Sequence, residues 1–417
     1  MNSAQSEFPS PERLRGNVKR IQFLSFFWMF MLLMPVIVPF LKEHGLSIQE
    51  ILTLQSIFAI AVVLLELPSG YLSDWIGRRG CLVAAGFLRG LAFTWLALAN
   101  GFWDFALFQL VAALSISLYS GSDVALLYDS LEGLDDHHGR RRALGRRLLW
   151  MQSGETIAAL IGGVIVTYSL SSVATGNAIL GWLPFLVSLS LVEVPSEKLD
   201  HSDHLGNLKR IWRQIFHGQP LLRMIMFSLI TYGLSTLLAV WLFQDYWQAL
   251  DVPLIYFGYL WAAYNITVAI VGRLAHRVED LIGPKNVVRL VGILPVLGFG
   301  GMGLCSWGLE QGGPSLLVWI GVGLGFLFQI GRGLTQVVIK DALNTRVEKG
   351  LRATANSIAS LGVRLAYSVL GPCIGWIIVG RGHTAALWAA AALFGIFFLK
   401  VACGLARRLD DVQAVPE

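Results

Sequence analysis

Charged residues are few in this chain. Only 14% of its 417 residues are Asp, Glu, Lys or Arg, while 55% are hydrophobic. A water-soluble protein carries about 25% charged residues. The shortage leaves too little polar surface to cover a soluble globule. Cysteine is also scarce: Cys81, Cys305, Cys373 and Cys403 lie in or beside apolar runs, with no disulfide or metal spacing. No Gly-x-x-x-x-Gly-Lys phosphate loop is present, so ATP-driven transport is not expected. No Ser-His-Asp order and no cluster of metal ligands falls in a cavity position, so no enzyme activity, cofactor or metal is expected. Asp135, Asp136, His137 and His138 sit beside a run of arginines and read as a solvated loop.

What fills the chain instead is long apolar runs. Twelve of them, near 20–41, 48–73, 80–99, 103–129, 147–169, 173–192, 221–244, 253–275, 286–307, 314–338, 353–379 and 384–405, are long enough to span the bilayer core of roughly 30 Å as helices. Lipid-exposed backbone must satisfy itself, and a barrel would show short alternating segments, so helices are the reading. The expected fold is an all-α polytopic membrane protein with twelve transmembrane helices in two pseudo-symmetric six-helix bundles.

With the N-terminus inside, only Lys42 and Arg381 fall in outer loops, and Arg89, Arg273, Arg332 and Arg364 are assigned to spans; the remaining Lys and Arg lie in cytoplasmic segments or at the cytoplasmic ends of spans. That bias places the chain in the inner membrane with both termini cytoplasmic. It assigns the net charge of +5 to the anionic inner leaflet rather than to nucleic acid. The expected organisation is a cytoplasmic segment 1–19, a first bundle 20–192, a central loop 193–220, a second bundle 221–405 and a cytoplasmic tail 406–417. In the central loop, "LKRIWRQIF" reads equally as plain linker or as a short amphipathic surface helix.

The halves echo each other. Asp129 after span four aligns with Asp341 after span ten, and Ala143 with Ala353 across a two-residue gap. Gly70-x-Leu72-Ser73-Asp74 aligns with Gly272-x-Leu274-Ala275-His276-Arg277. Two six-span repeats are a transporter architecture.

Between spans two and three stands Gly70-x-x-x-Asp74-x-x-Gly77-Arg78-Arg79. This stretch resembles the signature loop of the major facilitator superfamily, and the likeness extends to the span count, the two halves and the degraded second copy. Trp75 departs from the usual Arg, and the second copy has His276 for Asp and an insertion before Gly283. The resemblance implies alternating access, with Gly70, Asp74, Gly77, Arg78, Arg79 and Asp129 as a latch that makes and breaks between states. Gly77 suits a tight turn with positive φ. Arg78 and Arg79 have Asp129 as their best acidic partner, although fixing topology is an equal reading for Arg79. Glu66 shares a helix face with Gly70 and Asp74 and joins the latch or carries protons.

Ionisable groups inside spans are functional candidates. Ser115, Tyr119 and Asp123 form one stripe in span four; Gln329, Arg332 and Gln336 lie at i, i+3 and i+7 in span ten; Asn356, Ser360, Arg364 and Ser368 follow at intervals of four; Glu155 stands alone in span five. The resemblance implies that spans one, four, seven and ten line the cavity, which adds Tyr232 and Met34. Asp123, Glu155 and Glu66 are the proton-carrying candidates, since a carboxylate in a low-dielectric site exchanges protons nearer neutral pH. Tyr119, Tyr232, Gln329, Arg332, Gln336 and Arg364 are the substrate-cavity candidates. Arg332 has two possible partners, Asp123 or an anionic group on the substrate. Gly371-Pro372-x-x-Gly375 resembles part of an antiporter signature, displaced to span eleven. The expected function is secondary active transport of a small organic solute: proton-coupled export of an amphipathic compound. The alternatives are movement of an anionic metabolite, or a receptor or assembly factor that kept the fold. The expected partners are a small-molecule substrate, protons and membrane lipids, in a monomer.

Overall fold

The computed structural model describes residues 9–136, 139–195, 213, 220–348 and 351–407, without the side chains of 67–75, 141 and 353. Eleven of the described segments are long and apolar enough to cross a bilayer. The last, Thr354–Arg407, runs 54 residues. At 1.5 Å per residue that is roughly 80 Å, far beyond a ~30 Å core. Gly382, at φ 81°, breaks it. It is therefore two crossings, which brings the described residues to twelve.

The first span is a broken helix. Helix α1 (Pro11–Met29) starts nine residues before the apolar run expected near 20. Proline is favoured in a first helical turn, and Leu14, Asn17, Ile21 and Leu24 then share a fully buried face. After an interruption at 30–33 and a short 3₁₀ turn, α2 (Ile37–Glu43) completes the crossing. Helices α3 (Ile48–Ile76) and α4 (Arg78–Leu98) are spans two and three. Span four is also broken: α5 (Phe102–Tyr119) and α6 (Ser122–Glu132) meet at Gly121, φ 86°. Helix α7 (Gly139–Ile165) is span five, and α8 (Leu170–Leu180) with α9 (Leu183–Leu189) make span six.

In the second half, α10 (Pro220–Ala249), α11 (Leu254–Ile282) and α12 (Pro284–Glu310) are spans seven to nine. Span ten is α13 (Leu316–Leu334), a π-helical turn Thr335–Ile339 and α14 (Lys340–Arg346). Helix α15 (Arg352–Phe397) carries the last two spans.

By internal contacts the chain forms two units. The first is Met1–Leu46, Ile57–Asp200 and Leu254–Ala262. A core within it joins Leu14, Ile21, Trp28, Leu82, Leu126 and Leu191. The second is Ser47–Ser56, His201–Pro253 and Ala263–Glu417. Its core joins Leu222, Tyr232, Val287, Leu334, Ala355 and Leu405. Each unit thus includes a helix start from the other half of the sequence. Glycines let those starts pack closely. A Cβ on Gly258 would lie 2.3 Å from the Ala159 carbonyl oxygen, and one on Gly375 would lie 2.7 Å from Gln49 Cα.

Candidate functional site

The Gly77 turn builds a clasp inside the first unit. Gly77 sits at φ 80°, ψ 160°, and begins α4. A helix start leaves backbone N–H groups without intrahelical partners and carries partial positive charge. The Glu193 carboxylate answers both: it accepts from the Arg78 and Arg79 N–H groups, each at 2.9 Å. A Cβ at Gly77 would press to 2.8 Å from that carboxylate, a second reason for glycine there. The Arg78 guanidinium forms an ion pair with Asp129 on α6. Arg79 turns the other way. Its Nε donates to the Leu191 carbonyl at 2.7 Å and its Nη2 to the Leu189 carbonyl at 3.1 Å, placing a cation on the carbonyl end of α9. Buried Asn17 pins the same segment from α1. Its amide nitrogen donates to Val192 O (2.8 Å) and Ser130 Oγ (3.2 Å), and its carbonyl accepts from Val192 N (2.9 Å). Gly70 and Asp74 lie on α3, but the Asp74 side chain falls outside the described residues. Glu66 is half-buried on the same helix.

Deeper in the same unit, Asp123 occupies the first turn of α6, just past the break at Gly121. It is 1% exposed. Its partner is Arg147 on α7: the Arg147 Nε donates to Oδ2 at 2.6 Å, and Nη2 pairs with the same oxygen. Of the two partners open to Arg332, Asp123 is thus already engaged by a cation of its own unit. In sequence Arg147 closes a basic run at the very start of span five and is not a candidate partner, but α7 carries it to a side-chain exposure of 12% against α6. The aspartate thus finds its cation on the next span of its own half. Tyr119, 4% exposed, stacks on Trp28 with ring centres 3.7 Å apart and 8° between planes. On the far side Arg89 lies 4.7 Å over both Trp28 and Phe93, and donates to the Trp28 carbonyl. Glu155, half-buried on α7, accepts from the Trp261 indole N–H at 3.1 Å.

The second unit places its candidates differently. Tyr232 is buried, and its hydroxyl has no hydrogen-bond partner among the described residues. Gln329 is buried, Arg332 half-buried and Gln336 exposed. The π-helical turn begins between Arg332 and Gln336. Its extra residue shifts the helical phase, which separates the environments of a stripe that would share one face in a regular helix. Arg332 forms no ion pair among the described residues. Arg364 is half-buried on α15. Two contacts have no counterpart in the sequence reading: His383 Nε2 meets Asp245 Oδ2 at 2.8 Å, and Thr384 donates to Glu310 at 2.7 Å. Both lie just beyond the Gly382 break.

Residues 21–347 match the model of the Major Facilitator Superfamily. The chain belongs to that superfamily. As a major facilitator it is a multi-pass membrane transporter, not an enzyme. A mutant of the nucleoside transporter NupG shares its fold, with a TM-score of 0.76 at 14% identity over 94% of this chain and 98% of that one. A D-xylose-proton symporter aligns with a TM-score of 0.70 at 13% identity over 94% and 98%. The POT family transporter PepTSo aligns with a TM-score of 0.70 at 12% identity over 96% and 98%. A search of curated protein sequences gave no match.

The signature loop is thus held by Glu193, whose segment is pinned in turn by Asn17 beside Ser130, and its own residues announce none of the three. The signals are weak but present. Asn17 is a polar residue on the Leu14–Ile21–Leu24 face, and Glu193 is an acid at the end of an apolar run.

Proposed function

We propose that this facilitator exports a small amphipathic organic compound across the inner membrane in exchange for protons, as a monomer with both termini cytoplasmic. The observation that carries the reading is Glu155. It is a half-buried carboxylate inside a span, with a neutral indole donor and no ion pair among the described residues. Intramembrane acids of that kind are functional candidates. Asp123 is less suited, because Arg147 already neutralises it. The position of Glu155 also supports coupling. Glu155 and Trp261 lie on the two helices that meet at Gly163 and Gly258. A hydrogen bond to an ionised carboxylate is about twice as strong as a neutral one. Protonating Glu155 weakens its hold on Trp261 and loosens that seam, so proton loading and helix separation favour each other. The Gly371-Pro372-x-x-Gly375 stretch supports export, and Gly375 is the close-packing residue of the seam with Gln49.

A second reading rests on Arg332. A guanidinium in a span without an ion pair suits an anionic metabolite, whose charge then completes it.

The test is flux in liposomes containing only the purified protein, screened over cationic, neutral and anionic compounds with and without a pH gradient. Wild type should drive one compound class uphill on the gradient. Glu155→Gln should lose uphill movement and keep exchange. Uphill transport at normal rate in Glu155→Gln sinks the coupling role, and movement restricted to anions selects the second reading. No flux with any compound returns the non-transporting receptor.

A further inference from the structure

The two halves begin their third and ninth spans with the same backbone turn. Gly77 has φ 80°, ψ 160° and Gly283 has φ 77°, ψ 154°. The residue after the first is Arg78; the residue after the second is Pro284. The repeat also matches Asp129 with Asp341. Asp129 binds the Arg78 guanidinium. Asp341 forms no ion pair among the described residues. Beside Pro284 and Asp341 lies a cavity of about 250 Å³ in the second unit. Its apolar lining includes Ile225, Val288, Val338 and Leu405, and its polar lining includes Asp341, Glu279 and Thr345. Among the described lining residues the one cation, Arg346, turns back on its own helix and donates to the Ala342 carbonyl at 3.1 Å. Of the two acids, Glu279 has only a long contact of 3.9 Å with exposed His276.

The geometry points to this cavity as a binding site for a guanidinium or primary ammonium group carried on a short apolar stem. The first half meets its aspartate with a cation from its own chain. The second half has traded that arginine for a proline, which supplies neither charge nor length, and offers the aspartate to a cation from outside. The charge is recognised by Asp341 and Glu279, and the stem lies on the Val288 and Leu405 wall. The volume is slightly below that of drug-sized sites, which limits the ligand to a headgroup and a few methylenes. Two sources present this chemistry: the ammonium of an aminophospholipid headgroup, or a soluble organic cation.

The experiment uses purified full-length protein in phosphatidylcholine nanodiscs, with hexylguanidinium as probe and hexylsulfonate as control, read by calorimetry. Wild type should bind hexylguanidinium and not hexylsulfonate. Asp341→Asn should weaken that binding at least about tenfold, the usual scale for losing a charge-assisted contact. Pro284→Arg should abolish it by supplying the cation from within. Val288→Phe, which fills the apolar wall without touching charge, should weaken it as well and guards against a Pro284→Arg variant that fails to fold. Repeating the titration in phosphatidylethanolamine nanodiscs separates the sources: competition there identifies the lipid headgroup, and equal affinity identifies a soluble cation. Unchanged affinity in Asp341→Asn and Val288→Phe, or equal binding of hexylsulfonate, overturns the proposal.

Discussion

Replacing Arg147 with Met isolates the worth of one buried ion pair. Asp123 is 1% exposed and its side chain has one cationic partner, so the substitution leaves a carboxylate without compensation inside a span. Breaking a buried pair from one side costs about 3–5 kcal/mol. Asp123→Asn is milder, about 1.5–3 kcal/mol, because the amide still accepts a hydrogen bond and the longer arginine stem can carry its charge toward water. The double variant Asp123→Asn/Arg147→Met removes both charges and should cost no more than the worse single change. The coupling energy of the cycle should therefore exceed about 1.5 kcal/mol, outside the 0.3–0.5 kcal/mol scatter of independent sites. Reversible SDS unfolding in mixed micelles, followed by tryptophan fluorescence, measures it. Additive losses would show that the pair is not a unit. The double variant should also retain uphill transport, since the charges are taken to hold α6 against α7; loss of coupling with normal folding would return the proton role to Asp123.

The clasp at Gly77 gives a second expectation. Glu193→Ala should destabilise the protein by about 1–2 kcal/mol, the scale of a lost cap plus its dipole interaction, with Glu193→Gln recovering part of it in the same unfolding assay. Gly258→Val should cripple transport while the protein still inserts, because even its Cβ would lie 2.3 Å from the Ala159 carbonyl oxygen; normal flux would refute the close seam. His383→Ala removes a 2.8 Å partner from fully buried Asp245 and should lower stability by about 1.5–3 kcal/mol, whereas the neighbouring exposed Arg381→Ala should leave it within about 0.5 kcal/mol.

The twelve crossings were legible because hydropathy is a local signal that survives without knowledge of partners. The signature loop was legible for the same reason, since Gly77 and its arginines are neighbours in sequence. What escaped was non-local or conformational. Glu193 caps α4 from more than a hundred residues away, and nothing near Arg78 points to it. Arg147 was hidden by its basic neighbours, because only the phase of α7 separates it from the solvated arginines before it. The break at Gly121 had a visible glycine, yet a glycine within a span is equally a packing residue. The π-helical turn at 335–339 has no comparable marker, and it is what parts Gln329 from Gln336.

The composition of the two units sets an order on synthesis. The first unit takes in Leu254–Ala262, the opening turns of span eight. Gly163 and Glu155 wait for Gly258 and Trp261, which leave the ribosome only after the central loop and span seven. The start of span two, Ser47–Ser56, likewise waits for span eleven and Gly375. An N-terminal half made alone would hold every residue of the clasp at Gly77 but would leave the Gly163 face of span five and the start of span two without their partners. Quality control in the membrane therefore has a defined intermediate to recognise, and it disappears only when the second half has been inserted.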